Sequence, residues 1–366
     1  IKNGNLDAVC VGEGEQPLLE LVEALEAGQK IIGIANLWLK QGDRIIRNPL
    51  RPLITDLDQL PFADRGLFDY QDILAHNGGI VDLMAGRGCP YRCSYCCNPA
   101  LRNRYQGLGR YVRFRSTDNI LSEIEGLQNR YEIRVLNFQD DTFTLRKDWT
   151  LNFCESYGAR FDYPFWLNTR VEHLDEEMIQ VLAEAGCQRV RIGVESGNEA
   201  LRKRILKREM SNKDFRQAFE LLHQYGIETY TCNMIGIPGE TLDMIQETID
   251  LNRELAPTKF QFSVFYPYPM TELGDMCVEE GYLDAQQETL GYYDRQSTLT
   301  LPSLSPADLE RGYDRFEELR YELALKKNPK KYQLYRLARK LFGDDIGRWR
   351  QRLMGIRKKF EVEDEE

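Results

Sequence analysis

The sequence predicts an α/β fold in which a parallel sheet is covered by helices, with six strand-and-helix units, the count of a partial βα barrel. Two observations carry this expectation. From residue 80 onward, short apolar runs alternate with amphipathic helical ones, the pattern of strands joined by crossover helices. Each apolar run also ends in polar, glycine or proline residues, and in such barrels the chemistry gathers where strands end. At 366 residues, the chain is long enough for one large domain or two with a substantial core.

Taken in order, an apolar run over 6–11 leads into Gly12-Glu13-Gly14-Glu15 and then a helix. That helix has Pro17 at its start, Leu18, Leu21, Val22 and Leu25 at helical spacing, and Gly28 at its end. One such unit cannot bury both faces of a sheet. Residues 1–39 are therefore expected to be the end of a doubly wound domain whose earlier strands are missing from this chain, with an extended linker over 40–79. The barrel is expected over 80–285, with strands at 80–85, 133–138, 164–169, 189–194, 227–235 and 259–266. The clearest helix has Asp175-Glu176-Glu177 before Met178, Ile179 and Leu182, with acidic residues in its first turn, and ends at Gly186. A polar, helical extension is expected over 286–366. It contains a basic stretch (Lys326, Lys327, Lys330, Lys331, Arg336, Arg339, Lys340) and closes on an acidic tail, Glu361 to Glu366.

The loop after the first strand carries the most chemistry. Cys89, Cys93 and Cys96 stand at C-x3-C-x2-C spacing inside Gly86-Arg87-Gly88-Cys89-Pro90-Tyr91-Arg92-Cys93-Ser94-Tyr95-Cys96. Three thiolates that close can hold three corners of a 4Fe-4S cluster and leave one iron open for a substrate or cosubstrate. A structural zinc would want a fourth ligand, and the nearest candidate, Cys97, leaves the backbone in a different direction from Cys96. A disulfide framework fits poorly with nine scattered cysteines. Cys10, Cys154, Cys187, Cys232 and Cys277 lie in apolar segments and read as ordinary buried thiols.

This loop, with Tyr95 just before its last cysteine, resembles the cluster loop of the radical S-adenosylmethionine (SAM) superfamily. The resemblance implies that Cys89, Cys93 and Cys96 are catalytic cluster ligands and that Tyr95 packs near SAM. In that family, SAM chelates the open iron and yields methionine and a 5′-deoxyadenosyl radical. The N-terminal phrase Val11 to Glu15, followed by Asn48-Pro49 and Asp56-Leu57-Asp58-Gln59-Leu60-Pro61-Phe62, resembles the end of the cobalamin-binding domain that precedes the barrel in one large branch. The expected fold is thus a partial (β/α)6 radical SAM barrel with the remnant of a doubly wound cobalamin-binding domain before it.

The other candidates stand at strand ends. Asp140 and Asp141 could bind a metal, cap the next helix, or position cosubstrate and substrate. Arg170 follows the third strand, and Glu195 and Ser196 follow the fourth. Glu195 and Ser196 can hydrogen-bond ribose hydroxyls or the methionyl ammonium. Gly236 and Pro238 let main chain approach a flat adenine edge. Arg208 matches an arginine that pairs with the methionyl carboxylate in several family members, although a solvated helix-end charge reads equally well.

The cofactors expected are a 4Fe-4S cluster, SAM and cobalamin, the last with its site mostly outside this chain. The expected reaction is methyl transfer to an unactivated carbon through methylcobalamin. A cobalamin-assisted oxidative cyclisation or rearrangement is the alternative, and a non-catalytic cluster- and SAM-binding sensor is the alternative of another class. Partners expected are a reductant such as flavodoxin or ferredoxin and a small-molecule or natural-product substrate. A net charge of −10 argues against broad nucleic-acid binding and for a cytoplasmic protein. The basic C-terminal stretch could touch a membrane surface peripherally.

Overall fold

A computed structural model describes residues 5–283 and 296–326, together with Lys330 and Gln333. The chain divides into two compact units, one of residues 1–164 with 270–272 and one of 165–269 with 273–366.

The first unit opens with β1 (Ala8–Cys10), α1 (Glu15–Glu26), β2 (Leu37–Gln41) and β3 (Arg44–Arg47). The three strands form an antiparallel sheet in chain order. In β2, Leu37 and Leu39 are buried while Trp38 and Lys40 are half-exposed, so the side-chain alternation fixes the register. Gly42, at φ +57°, makes the turn into β3. The segment expected to be an extended linker therefore holds part of a hairpin, and further on α2 (Tyr70–Asn77), capped by Asp69 and stopped by left-handed Gly78. In α1 the predicted apolar stripe faces outward, with Leu18 and Leu25 each 61% exposed.

Next come β4 (Ile80–Leu83), β5 (Gly86–Arg87), α3 (Cys97–Arg104), β6 (Arg113–Phe114), α4 (Thr117–Gln128), β7 (Val135–Phe138) and α5 (Lys147–Gly158). β4 and β7 pair in parallel, and β5 pairs antiparallel with β6. β4 stops two residues before the expected end because the Ala85 amide donates to the Asp140 carboxylate. Between β7 and α5 lies an aromatic core. Phe143 meets Phe138 at 4.7 Å and Phe153 at 5.3 Å, and Trp149 stacks on Phe153 at 5.6 Å. Such pairs contribute roughly 0.5–1.5 kcal/mol each beyond their buried area.

The second unit contains β8 (Phe165–Thr169), α6 (Glu176–Glu184), β9 (Cys187–Glu195), α7 (Glu199–Arg204), α8 (Asn212–Gln224), β10 (Glu228–Ile235), α9 (Leu242–Leu255), β11 (Lys259–Val264), α10 (Glu272–Glu279) and α11 (Pro306–Lys326). Its four strands pair in parallel in chain order. With β4 and β7, all six predicted barrel strands are present within a few residues of their expected bounds, and the fold is the α/β partial barrel expected. α6 begins where predicted because the Asp175 side chain accepts from the Met178 amide. β10 alternates strictly, with Thr229, Thr231, Asn233 and Ile235 buried. Two of the polar members are satisfied by α9, Thr231 donating to Asn252 at 2.6 Å and Asn252 donating to Asn233 at 2.8 Å, while Thr229 accepts from the Thr258 amide at 3.3 Å.

Two expectations about cysteines need correcting. Cys154, Cys187 and Cys277 are buried, but Cys10 is exposed, on the three-residue strand β1, and Cys232 is half-buried, on the face of β10 opposite its core residues. Of the basic C-terminal stretch, Lys327, Lys331, Arg336, Arg339 and Lys340 lie outside the described residues, as does the acidic tail. Among the described residues, no helix is long and apolar enough to cross a membrane.

Candidate active site

The first unit carries the cysteine loop. Asp140, 3% exposed, accepts from the amides of Ala85 and Gly86 and so roots the loop at the end of β4. Burial pushes its carboxyl up to about 6. The loop then runs against residues 111–114 so closely that a Cβ at Gly86 would stand 2.7 Å from the Arg113 carbonyl and one at Gly88 2.5 Å from the Tyr111 carbonyl. Gly88 also sits at φ +83°. A turn joins the last two motif cysteines, the Cys96 amide donating to the Cys93 carbonyl at 3.1 Å.

Cys96 caps α3, its sulfur accepting from the Asn98 amide at 3.5 Å and from the Asn98 side chain at 3.6 Å. Burial pushes the Cys89 thiol up, and a hydrogen bond between the Cys96 and Cys97 thiols moves the two in opposite directions. Asp141 also faces this group. Burial raises its carboxyl, a hydrogen bond from Asn98 opposes the rise, and its charge is felt by Cys89 and Cys97. Tyr95 is half-buried in the same loop.

Three thiols in one loop, Cys89, Cys93 and Cys96, are a donor set that suits a 4Fe-4S cluster, which binds each thiolate at a different iron.

The short N-terminal phrase is tied into this region. Glu13 accepts from Arg87 at 2.8 Å, from Arg113 at 2.9 Å and from the Ile54 amide at 2.8 Å, while Glu15 takes the other end of Arg87. Gly12, at φ +97°, lies under Tyr105, whose hydroxyl would be 1.5 Å from a Cβ there. The segment Leu57 to Ala63 walls a cavity of about 550 Å³ that also touches Asp82, Met84, Arg115 and Gln139.

The second unit carries the other candidates. Glu195, at the end of β9, has φ +64° and is 9% exposed. A non-glycine residue in that region is strained, as functional residues often are. A Cβ at Gly193 would stand 2.2 Å from a Glu195 carboxylate oxygen and 3.4 Å from Arg208 Nη2, so these two candidates meet in the space that this glycine leaves. Arg208, 5% exposed, donates to the Gly193 carbonyl at 2.6 Å. This burial removes the reading of Arg208 as a solvated charge. Ser196 is fully buried, and its hydroxyl accepts from the Asn198 amide at 3.3 Å. Arg170 is buried and paired with Glu172 at 2.6 Å. Gly236, at φ +76°, and the buried Pro238 form the loop after β10.

Three supporting residues were not found from sequence. Arg202 is fully buried and bonds the carbonyls of Ser196 and Met210 and the Asn212 side chain. Burial lowers it to about 10. It thereby fixes both the Glu195–Ser196 corner and the exit of the Arg208 segment. Glu240, also fully buried, accepts from the amides of Gly236 at 2.6 Å and Ile237 at 3.2 Å, and burial pushes it up to about 8. Asn98 gathers Cys96, Tyr111 and Asp141.

Residues 83–251, which include the cysteine loop, match the model of the Radical SAM superfamily. An uncharacterised methyltransferase of Pyrococcus horikoshii is 28% identical over 279 residues, 76% of this chain and 59% of that protein. An anaerobic magnesium-protoporphyrin IX monomethyl ester cyclase of Rubrivivax gelatinosus is 26% identical over 279 residues, 73% of this chain and 48% of that protein. Among solved structures, the radical SAM methyltransferase TsrM of Kitasatospora setae, with cobalamin and a [4Fe-4S] cluster bound, superposes with a TM-score of 0.63 at 22% identity, covering 84% of this chain and 60% of that one. The chain thus spans about half to three-fifths of the length of these relatives.

Proposed function

We propose that this chain is the radical-generating part of a cobalamin-dependent enzyme that methylates an unactivated carbon. The observation that carries the proposal is the C-x3-C-x2-C loop rooted by Asp140 at the end of β4, on a chain whose relatives include named methyltransferases. When bound, the cluster and SAM supply the electron and the radical precursor, and cobalamin supplies the methyl group.

The chain's own residues do the positioning. Cys89, Cys93 and Cys96 hold the cluster, and Tyr95 flanks SAM. The Glu195 carboxylate accepts from ribose hydroxyls or the methionyl ammonium. Arg208, which donates to the Gly193 carbonyl through one Nη, pairs with the methionyl carboxylate. Gly236 and Pro238 offer backbone to the adenine, their loop held by Glu240. Asp141 and Arg170 orient cosubstrate or substrate.

Domain bounds follow the same reading: a cobalamin-domain remnant over 1–39, a linker over 40–79, the barrel over 80–285 and an extension over 286–366. The reductant is a flavodoxin or ferredoxin. Residues 86–117 contain seven arginines and no Asp or Glu; Arg87, Arg113 and Arg115 are paired with Glu13, Glu15 and Glu123, and the other four suit an acidic donor, so reduction by flavodoxin should slow as salt rises. A reducing, cytoplasmic location goes with such a cluster.

The test is anaerobic reconstitution with iron and sulfide, followed by assay of 5′-deoxyadenosine after reduction with SAM. One cluster per chain and 5′-deoxyadenosine above background are expected. A cluster without any SAM cleavage would favour the sensor instead. Oxidative cyclisation is the second reading, favoured by the cyclase relatives. Transfer of a labelled methyl group from SAM to product distinguishes the two reactions.

A further inference from the structure

The parallel pair β4 and β7 turns two unlike faces to its surroundings. On one face Val81, Leu83, Leu136 and Phe138 are buried, Phe138 against the aromatic core beside α5. On the other, strand alternation brings out Asp82 and Met84 at the end of β4 and Gln139 at the end of β7. These three line the cavity of about 550 Å³ within the first unit, and Leu57, Leu60 and Phe62 belong to the same wall. Phe62 and Met84 are 43% and 50% exposed, so a ligand with an apolar body would gain by covering them.

Asp82 is held in a fixed position in this cavity. Its Oδ1 accepts from the carboxamide of Asn137, directly across the ladder, at 2.5 Å and from that of Gln139 at 2.9 Å. Both donors are neutral, so they orient the carboxylate without cancelling its charge. The cavity's arginines are committed to other acids. Arg65 and Arg115 share Glu123 at 2.9 and 2.6 Å, and Arg87 pairs with Glu13 and Glu15. Arg65 meets Asp82 at the main chain, donating to its carbonyl at 2.9 Å. Among the described residues, Asp82 is the one acid lining the cavity that has no basic partner.

We propose that this cavity binds an organic amine, with its ammonium group on Asp82 and its apolar body on Phe62 and Met84. The cavity also reaches Gly86 and Arg87, which lead into Cys89, so the amine is placed as the substrate of the reaction proposed above. Its role as substrate rests on that reading, but its binding is measured with no cluster and no SAM. Three ligands sharing one ring, 1-naphthylmethylamine, 1-naphthalenemethanol and 1-naphthylacetate, are titrated against the full chain by calorimetry.

The amine should bind roughly tenfold or more tightly than the alcohol, the value of one charged hydrogen-bonded contact, and the acid should bind most weakly. Asp82→Asn should remove the amine's advantage, whereas Phe62→Ala should weaken amine and alcohol alike by roughly a few-fold. Thermal melting checks that each variant is folded. Equal binding of amine and alcohol, binding of neither, or an advantage that survives Asp82→Asn overturns the proposal. Tightest binding of the acid overturns it too, and assigns the cavity to Arg65 and Arg115. An amine preference that vanishes with Asp82, in a chain that never forms 5′-deoxyadenosine, would sink the catalytic reading and leave the amine site standing.

Discussion

The cysteine loop and the corner at the end of β9 solve the same problem, presenting polar side chains at a strand end, in opposite ways. In the loop the functional atoms lie within eight residues of one another, and the scaffold is mostly backbone: two amides on Asp140 and two glycines pressed against residues 111–114. At the β9 corner the functional atoms come from residues far apart in sequence, and the scaffold is side chain on backbone. Arg202 spans from Ser196 to Met210, and Gly197 is pressed on α9, with its amide donating to Thr248 at 2.8 Å. On the function proposed above, the loop is completed by a cluster. The corner is already built from its own hydrogen bonds.

The comparison predicts where damage falls. Cys89→Ala, Cys93→Ala and Cys96→Ala should each abolish the cluster absorbance of anaerobically reconstituted protein while leaving the melting profile close to wild type. Cys97→Ala should keep the cluster. A normal cluster in the triple variant would end the assignment.

Arg202→Met should act the other way, on the fold. It strands buried carbonyls of Ser196 and Met210, and each unsatisfied group costs roughly 1–3 kcal/mol. A loss of about 3 kcal/mol is expected, read as the urea midpoint. An unchanged midpoint would mean that the corner is not built by this side chain.

Glu195→Ala and Arg208→Ala should weaken SAM binding by roughly tenfold each, the scale of a single charged hydrogen bond, with the cluster spectrum preserved. Equilibrium dialysis with labelled SAM measures this, and unchanged binding in both would return these residues to structure.

The smallest effect concerns Glu240. Its folded carboxyl, near 8, is raised above the ordinary value of 4.5, so the folded state holds a proton that the unfolded chain has released. Its contribution is fully present below about pH 4.5 and declines as pH rises through about 8. Glu240→Gln should flatten the fall in melting temperature between these limits. A slope identical to wild type would show that the group does not titrate there.

The barrel strands were legible because their alternation and their Gly or Pro ends are local signals. Asp175 as a cap and Gly186 as a stop were read for the same reason. The outward stripe of α1 was not, because periodicity says that Leu18, Val22 and Leu25 share a face but not what covers it. Arg208 was left open between charge and contact, since only burial decides it. Arg202, the first of the basic run Arg202-Lys203-Arg204, and Glu240, an acid just before a helix, carry no local mark of burial. Each is defined by backbone atoms it reaches in three dimensions, and nothing in residue type or spacing encodes that reach.

Arg87 and Arg113 are directly opposite each other across the two-residue ladder of β5 and β6, an arrangement that like charges disfavour. Glu13 sits between them as a shared counter-ion. Transplanting the cysteine hairpin alone into another barrel would carry two guanidiniums and leave their neutraliser behind. A working graft would have to bring the Gly12–Glu15 phrase along with the cysteines.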